Sequence, residues 1–186
     1  MTDDADPAWL SETQLSSWMS LMALVMTLPA ALDAQLRRDT GLNTFDYHVL
    51  AALSDTPDGA MGMGELASIS QGSPSRLSHA VARLEREGWI ERSSGEARCV
   101  NAHLTATGRQ KLEESAPGHV AEVRRLVVDA LTPEQLQALG EAAQLVTEQA
   151  DPAMAAALAR RQRSFAAEVR GTVAAAGPGA GADEQG

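Results

Sequence analysis

The run Gln71-Gly72-Ser73-Pro74 constrains this chain more than any other. Glycine permits a tight turn, serine is a favoured N-cap, and proline suits the first helical position because its missing N–H would have no partner there. A helix therefore starts at Pro74 and runs to about Glu87, where Gly88 ends it. Leu77, Val81 and Leu84 fall at i, i+4 and i+7 and form one buried stripe. The opposite face carries Ser75, Arg76, Ser78, His79, Arg83 and Arg86, with no carboxylate before Glu85. A short helix over 64–70 precedes the turn, with Leu66, Ala67 and Ile69 inward. The unit is helix, glycine turn, helix, and it needs other elements to cover it.

Those elements are legible on both sides. A helix from Asn43 or Thr44 to about 54 carries Tyr47, Leu50 and Leu53, and Asp-Thr-Pro-Asp-Gly at 55–59 is turn chemistry. Two short strands over 89–92 and 99–104 are joined by 93–98, and Val100, Ala102 and Leu104 alternate with polar or small neighbours. Further out, Ser11-Glu12-Thr13-Gln14 has the form of a capping box. It opens a long helix over 12–39 with Leu15, Trp18, Met22, Val25, Leu32 and Leu36 on one stripe. Pro29 is expected to kink or divide that helix, and Gly41 closes it. Thr105 caps a helix over 106–129 with Leu112, Val120, Val123, Val127 and Leu131 inward and Pro117-Gly118 as a candidate interruption. Thr132-Pro133 opens another helix to about 150, and Asp151-Pro152 a last one to about 170.

The expected fold is mainly α with a small β-hairpin wing, a winged helix-turn-helix lobe with a helical region formed by N- and C-terminal helices. The plan is a flexible start (1–10), an N-terminal helix (11–41), the winged lobe (42–105), C-terminal helices (106–150), an additional helix (151–170) and a disordered tail (171–186).

Composition narrows the function. The net charge of −10 argues against nucleic acid if taken whole. The charge is uneven, however: 72–98 holds five arginines and four glutamates, about +1, while the rest holds −11. No apolar run of membrane-spanning length is read, since 21–36 is broken by Thr27, Pro29, Asp33 and Gln35. The acidic start has no basic n-region, so no signal peptide is read and a cytoplasmic location is expected. One cysteine, Cys99, excludes an internal disulfide framework and a multi-cysteine zinc site. His48, His79, His103 and His119 lie on separate elements with no ligand spacing, so no metal and no cofactor are expected. No nucleophile elbow, phosphate loop or catalytic carboxylate pair is present, so no enzyme is expected.

In a helix-turn-helix the second helix enters the major groove with its N-terminal residues against base edges. Ser75, Arg76, Ser78 and His79 stand at that end, and arginine can pair with guanine O6 and N7. Ser73 and Ser75 at the helix start suit a phosphate oxygen. Arg83 is open to two roles, a phosphate contact or an i+4 pair with Glu87. At the wing, Arg92 and Arg98 are placed to enter a narrow minor groove.

From Leu42 to Leu112 the chain resembles the MarR family of transcriptional regulators. The resemblance rests on Met63-Gly64-Glu65-Leu66-Ala67, Ser75-Arg76-Leu77-Ser78, Val81-Ala82-Arg83-Leu84-Glu85, Gly88-Trp89-Ile90-Glu91-Arg92 and Leu104-Thr105-Ala106-Thr107-Gly108 in this order. It implies a homodimer, with the N-terminal helix (11–41) and the C-terminal helices (106–150) as its dimerisation region, that reads a pseudo-palindrome on double-stranded DNA, represses transcription and is released by a small-molecule effector. The family's wing motif Asp-x-Arg corresponds to Glu96-Ala97-Arg98, with an acid one methylene longer and a wing about two residues shorter. The resemblance assigns the minor-groove role to Arg98. It also places a ligand pocket between the first helix and the lobe, near Trp18, Met22, Tyr47 and His48. Cys99 is a candidate redox sensor beside an arginine. The alternative reading is a winged-helix module that binds protein and not DNA.

Overall fold

The capping box at Ser11 forms: its hydroxyl accepts from the Gln14 N–H, and its own N–H donates to Gln14 Oε1 at 2.8 Å. The computed structural model describes residues 9–70, 72–94 and 100–175. Helix α1 spans Glu12–Thr40 and closes on Gly41 at φ 75°, where the left-handed backbone favours glycine. Pro29 does not divide it. The hydrogen bond that proline removes would join Pro29 to Val25, both exposed, where water can take the orphaned carbonyl. Pro117 is likewise an exposed residue inside a continuous helix, so neither proline breaks its element.

The remaining elements are α2 (Thr44–Ser54), β1 (Ala60–Gly62), α3 (Met63–Ile69), α4 (Pro74–Arg86), β2 (Ile90–Ser94), β3 (Val100–Leu104), α5 (Ala106–Val123), α6 (Pro133–Ala150) and α7 (Pro152–Ala175). A π-helical turn, Arg124–Val128, extends α5. The chain divides into two compact units between Thr132 and Pro133.

In the first unit the sheet has three antiparallel strands in the order β1-β3-β2, not two. Met61 faces Ala102 on one side of β3, and Arg92 faces it on the other. Strand β1 escaped the sequence reading because three residues, Ala-Met-Gly, are too few to carry a period. The core lies under α4: Leu77, Ala80, Val81 and Leu84 pack with Leu42, Phe45, Val49, Leu50, Leu53, Leu66, Ile90 and Ala102. Gly88, at φ 74°, ends α4 by a Schellman closure, with Trp89 N–H donating to Leu84 O and Gly88 N–H to Glu85 O. Thr105 then caps α5, accepting from the Gly108 N–H at 3.0 Å and donating to Gly88 O at 2.7 Å.

The expected stripes meet different fates. That of α4 is buried, whereas Leu15, Trp18 and Val25 on α1 are about half exposed and only Leu36 is fully covered. Val120, expected inside, is also exposed. By length and composition alone α1 is apolar enough to cross a membrane, with a mean hydropathy of 1.6 over 18 residues. This corrects the reading that no such run exists: Ala, Leu, Met and Val outweigh the scattered polar residues.

In the second unit α6 and α7 pack on each other. Asp151 joins them, its N–H donating to Thr147 O and its carboxylate accepting from the Met154 N–H at 3.0 Å. Helix α7 runs to Ala175, five residues into the stretch expected to be disordered. The alanines that begin at Ala174 are the strongest helix formers and favour continuation past Gly171. Of the N-terminal stretch and tail, 1–8 and 176–186 lie outside the described residues.

Candidate nucleic-acid interface

Ser73 caps α4 as its sequence requires, accepting from the Arg76 N–H at 3.2 Å, with Pro74 at the first turn. Ser73, Ser75, Arg76, Ser78 and His79 are all exposed, and Leu77 and Ala80 turn inward between them. The first turn of α4 holds no acid. The helix therefore presents one polar edge beginning at a positive dipole end. Ser73 keeps its O–H proton free of the capping bond, whereas the Ser78 hydroxyl donates back to Pro74 O at 2.9 Å and presents an acceptor outward.

Arg76 is not a loose side chain. Its guanidinium carbon lies 4.3 Å from the centroid of the Phe45 ring. The same ring fills the space beside Gly72, where an added Cβ would come within 2.5 Å of Phe45 Cζ and 2.7 Å of Cε2. Phe45 was not among the sequence candidates, because an apolar residue on α2 reads as ordinary core.

Arg83 finds its carboxylate on another helix and not at Glu87 of its own. Its guanidinium pairs with Asp46 of α2 through two nitrogens, Nε at 3.0 Å from Oδ2 and Nη2 bonded to Oδ1. Asp46 is buried, and Asn43 Nδ2 donates to Oδ2 at 2.8 Å. This hydrogen bonding raises the Arg83 pKa above its ordinary value. Sequence spacing could not reveal a partner 37 residues away. Arg92 is similarly engaged: Nε lies 2.9 Å from Glu85 Oε2, and the pairing holds the Glu85 carboxyl below its usual range. The pair ties β2 to α4. Arg86 remains exposed on α4. Arg98, Glu96 and Cys99 lie outside the described residues.

The four ligand-pocket candidates are not all brought together. Tyr47 on α2 packs against His119 of α5 with ring centroids 4.6 Å apart and planes tilted by 51°, and its ring lies 6.2 Å from that of His48. The contact of α1 with this region is near its C-terminus, where Gln35 Oε1 lies 3.4 Å from His119 Nδ1 and Asp33 Oδ1 accepts from the Thr44 N–H at 2.8 Å. Trp18 stands fifteen residues before Asp33 on the same helix, about 22 Å along its axis. Trp18 and Met22 therefore lie toward the other end of α1 from Tyr47. Among the described residues, no group of three His, Cys, Asp or Glu side chains could hold a metal ion.

The sequence model of the MarR family matches residues 42–97. The structure of Sco3205, a MarR family transcriptional regulator from Streptomyces coelicolor solved in complex with DNA, is 40% identical. It aligns over 80% of this chain and 94% of that one with a TM-score of 0.76. AbsC, a MarR family transcriptional regulator from the same organism, is 34% identical over 76% of this chain and 97% of its own, with a TM-score of 0.72. No curated protein matches the sequence. With the helix-turn-helix, the three-stranded wing sheet and these relatives in agreement, the chain belongs to the MarR family of transcriptional regulators.

Proposed function

We propose that this protein is a homodimeric, sequence-specific DNA-binding repressor that a small molecule releases from a pseudo-palindromic operator. The observation that carries the reading is the exposed, acid-free edge of α4 formed by Ser73, Ser75, Arg76, Ser78 and His79. Those side chains match the donors and acceptors of base edges and phosphates in the major groove. That a 40%-identical relative was solved with DNA supports it. Arg98 adds a wing contact in the minor groove. Arg83 and Arg92, each paired with a carboxylate, tie α4 to α2 and to β2 at the surface of the lobe.

The apolar side of α1, with Leu15, Trp18, Leu21 and Val25 exposed, fits burial against a second copy instead of lipid. A dimer sets two α4 helices at one helical turn of DNA, which is why a two-fold operator is expected. The effector site in this proposal is the junction of α1, α2 and α5, around Tyr47 and His48, where Gln35 and His119 meet. The reading is non-catalytic, so effector is bound and not consumed.

A protein-binding winged helix is the second reading, favoured by one observation: Arg83 and Arg92 are taken up by carboxylates in a chain of net charge −10. Selection of bound duplexes from a random pool separates the two. An enriched two-fold-symmetric motif for wild type, lost or relaxed in Arg76→Ala, is the expected result. No enrichment by a folded dimer would reject DNA recognition.

A further inference from the structure

Phe45 is 7% exposed, yet its ring does two things at the edge of the interface. One face carries the Arg76 guanidinium at 4.3 Å, and its para edge fills the clearance left by Gly72. The residues on either side of Phe45 in the chain are themselves anchored. The Thr44 N–H donates to Asp33 Oδ1 at 2.8 Å, and Asp46 is clamped by Arg83. Four consecutive residues of α2 and its cap, Asn43 to Asp46, thus join α1 to α4.

A cation over an aromatic face is attracted by the ring quadrupole. For an arginine this contact also removes rotamer freedom that would otherwise be lost on binding, and it holds the planar fork in one orientation. The two acceptors of guanine, O6 and N7, are read only by a fork in the correct plane. An alanine at 72 would drive its Cβ into the ring, so the turn glycine and the arginine depend on the same aromatic plane.

We propose that Phe45 is a positioning residue for recognition: without touching DNA, its ring sets the plane of Arg76 and with it the preference for a guanine in each half-site. This rests on the DNA-binding reading above. Other residues of α4 supply affinity, whereas the Phe45–Arg76 pair supplies discrimination at one base pair.

The test measures dissociation constants at fixed salt for wild type, Phe45→Leu, Arg76→Ala and the double variant. Each is measured on the selected duplex and on one with the Arg76-dependent base pair exchanged. Phe45→Leu should reduce discrimination at that pair about fivefold. It should leave binding to random duplex and its salt slope unchanged, and it should add nothing in the Arg76→Ala background. Equal weakening on both duplexes, the same loss with Arg76 absent, or full discrimination by Arg76→Ala would each overturn the proposal. A second measurement needs no variant. In the proton spectrum of the wild-type protein, Arg76 δ-methylene signals should be displaced by the ring current, and ordinary shifts there would overturn it even if Phe45→Leu fails to fold. If wild type selects no motif while those signals are displaced, the DNA-binding reading fails and the seating of Arg76 stands.

Discussion

Arg83→Ala distinguishes a structural arginine from a DNA-contacting one. Asp46 has a side chain only 5% exposed and receives two charge-assisted bonds from Arg83, whose own side chain is 42% exposed. Removing one partner of a fully buried pair costs ~3–5 kcal/mol, because the remaining charge has lost its compensation. Here the guanidinium is partly screened by solvent, and Asn43 Nδ2 keeps its bond to Asp46 at 2.8 Å. The cost is therefore about half of that, ~2 kcal/mol, or a fall in Tm of ~4–8 °C. Urea and thermal unfolding of the free protein give the stability, and a double-mutant cycle with Asp46→Asn gives the coupling. The second substitution should cost little once the first is made. The slope of log affinity against log salt should stay as in wild type. A phosphate contact predicts the reverse: unchanged stability, no coupling, and a slope reduced by ~0.9. That outcome would refute the assignment of Arg83 to the α2–α4 clamp.

Gly108→Ala should prevent stable folding, since its Cβ would sit 2.1 Å from the Trp89 carbonyl oxygen, which is backbone and cannot yield; a folded variant with an unchanged circular dichroism melt would contradict the packing. His119 gives a pH signature. Burial holds its imidazole below the ordinary 6.5, so the unfolded chain binds a proton that the folded one refuses. Its contribution to stability is constant above about pH 7, then falls as pH drops through 6.5 toward the lowered value, with a slope of at most ~1.4 kcal/mol per unit. Denaturant titrations from pH 8 to 5 should show that slope in wild type and lose it in His119→Gln. Leu84→Ala, in the centre of the core under α4, should cost ~2–5 kcal/mol, read as a fall in the urea midpoint with unchanged m-value.

Local chemistry determined much of this protein. The caps at Ser11, Ser73 and Thr105 each satisfy backbone donors within three residues, so they are written in the sequence and form as written. The α4 stripe repeats often enough to fix which side faces the core, and that fixes which side presents Ser75, Arg76, Ser78 and His79. Tertiary structure decided what depends on residues far apart in the chain. A three-residue strand has no period of its own and forms only because β3 offers a free edge. Arg83 and Arg92 read as unpaired cations until Asp46 and Glu85 arrive beside them. Trp18 and Tyr47 look like neighbours until the length of α1 separates them. Phe45 looks like plain core until Gly72 and Arg76 close on its ring. The physical reason is the same throughout: capping and periodicity act within a few residues, whereas charge pairing and ring contacts select partners by distance in space.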